Sequence, residues 1–450
     1  MPGPAASSLG GPRGQDREII RLAVPAFLAL VAEPLFLLSD AAIIGHLGTP
    51  QLAGLGIAGA VIQTAVGLCI FLAYGTTASV ARRVGAGDVR GALAQGVDGI
   101  WLAVFIGMPT TLVGLVATGW LVSLFGVGPE VADHASTYLR LAFLGVTPLL
   151  VMLAATGVLR GLQDTRTPLV VAVAGNVANI GLNLLLVYGL DLGVAGSALG
   201  TDLAQLGSAA ALVAVVVRAA RREGVGLRPD LPGVGKAAHA GAALVIRTLT
   251  LRASLLLMTY GAATIGATAT ATQQLAMTLW TFLAFTLDAI AIAAQAITGR
   301  FLGAGDLDMT RQVTDRMVRW GLVSGVATGI GLAATAPILG PLFSSDPEVY
   351  DMLTPVLLVA ALFQPVAGVV FVLDGVLIGA GDGRYLAWGG LAVLVAFAPL
   401  AWLGVVLPRT DALPWLWVAF GVGFMLTRAA VLLHRSRGDR WMVTGGSLPA

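Results

Sequence analysis

Charge is what this sequence has least of: 11% of its 450 residues are Asp, Glu, Lys or Arg, against about 25% in soluble proteins. That scarcity excludes an ordinary water-soluble domain. Cysteine is nearly absent too. The single Cys69 lies in an apolar run, which excludes a disulfide and a cysteine metal site. His46, in IGHLG, has no second histidine beside it, which argues against metal ligation. No Walker, HExxH or GxSxG pattern occurs, so neither ATP-driven work nor hydrolysis has support. GAGD occurs twice, in short loops with no strand before them, and does not make a dinucleotide fingerprint. Nothing points to nucleic acid.

What is there instead is apolar length. Hydrophobic residues make up 57% of the chain, and runs of about 20 of them, enough to cross a bilayer, recur throughout. Twelve such runs begin near residues 19, 52, 92, 132, 167, 194, 238, 269, 318, 350, 386 and 413. The expected fold is an all-α polytopic membrane protein, its twelve helices forming two six-helix lobes. Residues 1–16, rich in Gly, Pro and Ser, read as a disordered tail. An N-lobe follows over 17–220, a polar linker over 221–236, a C-lobe over 237–434 and a second tail over 435–450. No small-x-small cleavage site follows the first run, which reads as a retained helix.

The net charge of +2 says little, but its distribution says much. Of 26 basic residues, 22 fall at alternate helix ends, on one side of the membrane. Arg140, Arg247 and Arg252 fall within spans, and Arg409 stands alone on the other side. The positive-inside rule then puts both termini in the cytoplasm.

The chain repeats itself at an offset of 218 residues. RRVGAGD at 82–88 falls on RFLGAGD at 300–306, Pro129-Glu130-Val131 on Pro347-Glu348-Val349, and LRGLQDTR at 159–166 on LIGAGDGR at 377–384. Gly85 should match Gly303, and Asp164 should match Asp382. Six spans per repeat give both halves the same orientation, a transporter architecture.

Within the apolar runs, polar residues are few enough to name. Glu33 and Asp40 stand two turns apart on one face of the first helix. Pro34 between them removes the N–H that would bond the carbonyl of Leu30, which predicts a kink. Intramembrane acids are costly and usually face a cavity or a partner. Asp40 therefore reads as a proton carrier, or alternatively as an acid lying near the headgroups. Asn176, Asn179 and Asn183 form a polar stripe on the fifth span, which suits either helix packing or a site. Tyr138 opens the fourth span; Thr201, Asp202 and Gln205 lie in the sixth. Gln274, Thr281, Asp288 and Gln295 recur every seven residues on the eighth, a slowly drifting line. Asp374 lies deep in the tenth, and Arg247 or Arg252 could neutralise it or Asp288. Under the repeat Asp40 meets Met258, so the acids themselves are not duplicated.

DAAIIGHLGTPQLAGLG at 40–56, RRVGAGD, LRGLQDTRTP, NIGLN in the fifth span and GVAGSALGT at 193–201 resemble the multidrug and toxic compound extrusion (MATE) transporters. The branch they look most like is that of DNA-damage-inducible protein F. The resemblance runs from about residue 18 to 435. It implies two lobes forming a V, and exchange of organic cations or amphipathic drugs for protons or sodium. It implies a coupling acid at Asp40 and an N-lobe pocket of Tyr138, Asn176, Asn179, Asn183 and Thr201. Some proton-coupled relatives carry an acid where this chain has Asn183. A C-lobe polar site would comprise Asp288, Asp374, Gln274 and Arg252; the acid that the sodium-coupled branch carries on its seventh helix is absent. The function so implied is a proton-coupled drug antiporter, a monomer of the inner membrane, with no cofactor beyond the coupling ion. A sodium-coupled exporter and a flippase for lipids or lipid-linked precursors are the alternatives.

Overall fold

The computed structural model describes residues 12–343, 346–406 and 412–448. Arg409, the one basic residue assigned to the opposite side, lies outside them. The described residues contain no strand, and twelve of their helical spans are long and apolar enough to cross a membrane. The chain divides into two compact units, Leu28–Gly241 and Met1–Phe27 with Ala242–Ala450.

The first unit holds most of α1 (Pro12–Gly45), then α2 (Thr49–Leu68), α3 (Phe71–Gly85), α4 (Val89–Ser123), α5 (Pro129–Gly161), α6 (Arg166–Leu184) and α7 (Gly193–Arg222). The start of α8 (Leu231–Ile265) closes it. Its hub is α5, which packs against α2, α3, α4 and α7. Val80, Ala155, Val158, Leu159, Leu212 and Val216 form a fully apolar core there.

The other unit holds the rest of α8, then α9 (Ala267–Ala304), α10 (Leu307–Phe343), α11 (Pro347–Ala380), α12 (Gly383–Val406), α13 (Ala412–Ala419) and α14 (Thr427–Arg437). Here α11 is the hub, packed between α9 and α10 and touching α13 and α14. Its core is aromatic, with Trp280, Trp417, Phe397, Phe420 and Phe424 in edge-on and stacked pairs.

The repeat is written into the backbone. Gly87 at φ 77° and Gly305 at φ 76° close α3 and α9. In both, the following aspartate N–H bonds back to a carbonyl five residues earlier: Asp88 to Arg83, Asp306 to Phe301. This is the left-handed helix stop that glycine adopts without strain. Asp164 and Asp382 bond back to Leu159 and Leu377 in the same way, and Gly85 and Gly303 hold matching places in the last turn of α3 and α9. Close helix approaches repeat as well. A Cβ on Gly157 would lie 2.6 Å from the carbonyl oxygen of Ala73, and one on Gly375 would lie 2.3 Å from that of Ala291. Small residues at such crossings let membrane helices pack by direct backbone contact.

Four expected boundaries move. The tail expected over 1–16 becomes helix at Pro12. Its first turns are held: Asp16 accepts from Trp320 (2.8 Å) and pairs with Arg316, and Glu18 pairs with Arg300 at 2.8 Å. The linker expected over 221–236 shrinks to 223–230, because α7 runs on to Arg222 and α8 begins at Leu231. Trp101 Nε1 donates to the carbonyl of Leu227 (2.9 Å) and the N–H of Asp230 to Asp98 (3.1 Å), fixing that connection on α4. The tail expected from 435 starts later, since α14 continues to Arg437 and Trp441 is buried. Finally, the lobes do not divide at 220 and 237: the head of α1 belongs to the later unit and the head of α8 to the earlier one.

Candidate functional site

Asp40 lies near the end of α1 and is 3% exposed. Three neutral donors from three helices reach its carboxylate. Tyr138 of α5 donates to Oδ2 at 3.1 Å, Asn183 of α6 donates to Oδ1 at 3.0 Å, and Ser197 of α7 donates to the same Oδ1. The network continues outward. Asn183 Nδ2 also donates to Asn179 Oδ1 (3.2 Å), and Asn179 Nδ2 donates to Thr201 Oγ1 (3.0 Å). All five partners are buried.

Local backbone makes this convergence possible. Asn179 and Asn183 are one turn apart on α6, so both face α7. Past Asn183 the chain widens into a π-helical turn, Leu185–Gly189, a distortion that often marks functional sites. A Cβ on Gly200 would fall 2.1 Å from Asn183 Oδ1. Any side chain there would have to displace the Asn183 amide.

Among the described residues, Asp40 has no cationic partner. Its stability as a carboxylate rests on hydrogen bonds alone. Hydroxyl groups both donate and accept, so Tyr138 and Ser197 can reorient when the acid takes a proton. Such a site can exchange a proton without breaking an ion pair.

The structure therefore gathers Asp40, Tyr138, Asn179, Asn183 and Thr201 from the expected pocket and adds Ser197. Asn176 stands apart: it is half-buried and donates to the carbonyl of Ala32 on α1 (2.7 Å), near Pro34. Glu33 is exposed, although two turns from Asp40. Tyr188 donates to the carbonyl of Ile43 (2.6 Å), tying the π-helical turn to the end of α1.

The expected C-lobe set does not assemble. Asp374 is buried on α11, where Arg247 of α8 reaches both its oxygens and Arg428 of α14 donates to Oδ1 at 2.9 Å. Arg252 is exposed, since five residues turn it away from Arg247 on α8. Gln274 is exposed too, and its neighbour Gln273 is the buried one, accepting from Trp417 Nε1 at 2.7 Å. The seven-residue line on α9 drifts as such spacing must, from exposed Gln274 and Thr281 through half-buried Asp288 to buried Gln295.

Arg428 is a correction as well. The charge count places it at the basic end of the chain, yet it lies inside the unit. A signal was present: Arg428 and Arg435 are two turns apart, and they pair with Asp374 and Asp382. Ser197 was legible only as the residue one turn before Thr201.

The MatE family model matches this chain twice, over residues 25–185 and 243–403, at the offset of the internal repeat. The chain is 31% identical over 415 residues to Protein DETOXIFICATION 44, chloroplastic, of Arabidopsis thaliana, covering 89% of this chain and 78% of that protein. It is 28% identical over 445 residues to DNA damage-inducible protein F of Escherichia coli K12, covering 95% and 94%. Among solved structures, a Vibrio cholerae MATE transporter, VcmN, in its bent form matches with a TM-score of 0.87 at 20% identity, over 96% of this chain and 98% of that one. The chain belongs to the MatE family and is a multi-pass MATE transporter, not an enzyme.

Proposed function

We propose that this transporter is a proton-coupled efflux antiporter of the cytoplasmic membrane, a monomer with both termini in the cytoplasm, exporting organic cations and amphipathic compounds. The observation that carries this reading is the enclosure of Asp40 by Tyr138, Asn183 and Ser197, with no cation beside it among the described residues. A carboxyl held only by neutral donors gains and loses a proton by adjusting hydrogen bonds. Each charge carried across the membrane is worth about 2.3 kcal/mol per 100 mV, enough to drive export against a gradient.

Sodium is the weaker candidate as coupling ion. The acid best placed for it in the other unit, Asp374, already gives both oxygens to guanidinium groups. The bias of arginines toward one end of the helices supports cytoplasmic termini.

The test uses purified protein in liposomes with a lipophilic phosphonium cation as substrate. An imposed pH difference should drive accumulation, and substrate addition should release protons. A sodium gradient alone should do neither. Uptake that follows sodium and ignores pH would overturn the reading.

A further inference from the structure

Asp202 sits one residue beyond Thr201 on α7 and takes no part in the Asp40 network described above. Its carboxylate lies against α5, in the space that Gly145 leaves open. A Cβ at Gly145 would be 2.2 Å from Asp202 Oδ1 and 2.8 Å from Gln205 Oε1. The other oxygen, Oδ2, is buried with no hydrogen-bond partner among the described residues.

That arrangement is unfavourable for an ionised acid. A buried acceptor left unsatisfied loses the solvation it had in water, and a charged one loses more. Protonation changes the inventory: one oxygen becomes a donor. Gln205 Oε1, beside it over Gly145, is an acceptor within the same niche. The neutral acid can donate to that oxygen as it stands, whereas the ion is met by Gln205 only if the amide turns its N–H2 inward.

The surroundings leave that choice open. Tyr138 of α5 donates to Asp40, and Gly145, two turns further along α5, leaves the space that Asp202 occupies. Beyond Arg166 at its first residue, α6 carries no charged side chain. On α4 the one acid, Asp98, is bonded to the backbone of Asp230 near the opposite end of the helix. Arg140 on α5 is exposed, and among the described residues Asp202 makes no ion pair.

We propose that Asp202 is a second proton-binding carboxyl of this unit, exchanging its proton in the same transport cycle as Asp40. Uptake forms one O–H bond on Asp202 and removes one negative charge; release reverses both. Asp40, with three donors, and Asp202, with an unpartnered oxygen, thus differ in how well each environment holds a carboxylate. Pairs of acids set apart by their environments are how proteins divide proton-handling roles. The exchange in transport rests on the proton-coupled reading above; the protonation itself does not.

Two measurements separate these. Infrared absorption of the wild-type protein in lipid, titrated with pH in the absence of substrate, should show a protonated-carboxyl band that Asp202→Asn removes and that persists in Asp40→Asn. Asp202→Ser serves if the amide is not accommodated. In liposomes, Asp202→Asn should release about half as many protons per substrate as wild type, with Asp202→Glu restoring the count. A spectrum unchanged by Asp202→Asn overturns the proposal, whatever ion drives transport. So does an unchanged proton count in a protein shown to be proton-driven. Sodium-driven transport with the band present would instead defeat the coupling reading and leave Asp202 as a proton site.

Discussion

Moved along by 218 residues, Asp40, Tyr138, Asn179, Thr201 and Asp202 become Met258, Val356, Phe397, Ala419 and Phe420, all buried in one apolar core. The space that holds a hydrogen-bonded acid in one unit holds stacked rings in the other, Phe420 on Phe424 at 4.9 Å between centroids. In the opposite direction, Asp374, Arg247 and Arg428 fall on Thr156, Ala29 and Ala210. The backbone kept its repeat down to matched glycine contacts, while the polar residues were assigned to one unit or the other. Helix packing in a membrane needs small residues at fixed crossings, so the scaffold tolerates little change there. A buried acid needs partners from three helices at once, and losing any of them removes the reason for the rest.

The two acids also differ in kind. Asp40 is held by neutral donors, Asp374 by two cations. The first can change protonation state within its network; the second is locked, because neutralising it would strand one buried and one half-buried guanidinium. Removing one partner of a buried ion pair costs about 3–5 kcal/mol. Asp374→Asn should therefore lower stability by an amount in that range, read as a large drop in the unfolding midpoint in detergent. A midpoint within a degree or two of wild type would mean that the triad is not a structural lock.

A smaller effect is expected from the polar side. Gly200→Ala drives a methyl group toward Asn183 Oδ1, 2.1 Å from the ideal Cβ. Overpacking of this sort costs about 1–3 kcal/mol, and it should push Asn183 off Asp40. Export should slow more than stability suffers, measured as transport rate beside thermal unfolding of the same preparation. Wild-type transport in this variant would show that the α6–α7 approach does not serve Asp40.

How much of this was legible in the sequence follows from the same contrast. Hydrophobic runs mark the helices because bilayer thickness fixes their length, and the GAGD and LQDTR stretches mark the repeat because helix stops constrain sequence. Asp40 and the asparagines stand out because polar residues are rare in such runs. Ser197 did not stand out, since a serine among glycines and alanines reads as packing. Arg428 was hidden by its nearness to a run of basic residues at the chain end. The misplacement of Gln274 has a simpler cause: over a 38-residue helix, a slight mismatch between seven residues and two turns rotates a face out of view. The exchange of helix heads between units could not be read locally at all, because it depends on pairings such as Asp16 with Arg316, 300 residues apart.

The central claim is that Asp40 works by exchanging a proton, and Asp40→Asn tests it most directly. The amide keeps the shape: its one oxygen accepts from Ser197 and Asn183 while its N–H2 donates to the Tyr138 hydroxyl, so stability should change by no more than about 1.5 kcal/mol, the scale of one hydrogen bond. In liposomes under an imposed pH difference, the variant should bind the phosphonium substrate and fail to accumulate it. Accumulation at the wild-type rate under that gradient would contradict the account.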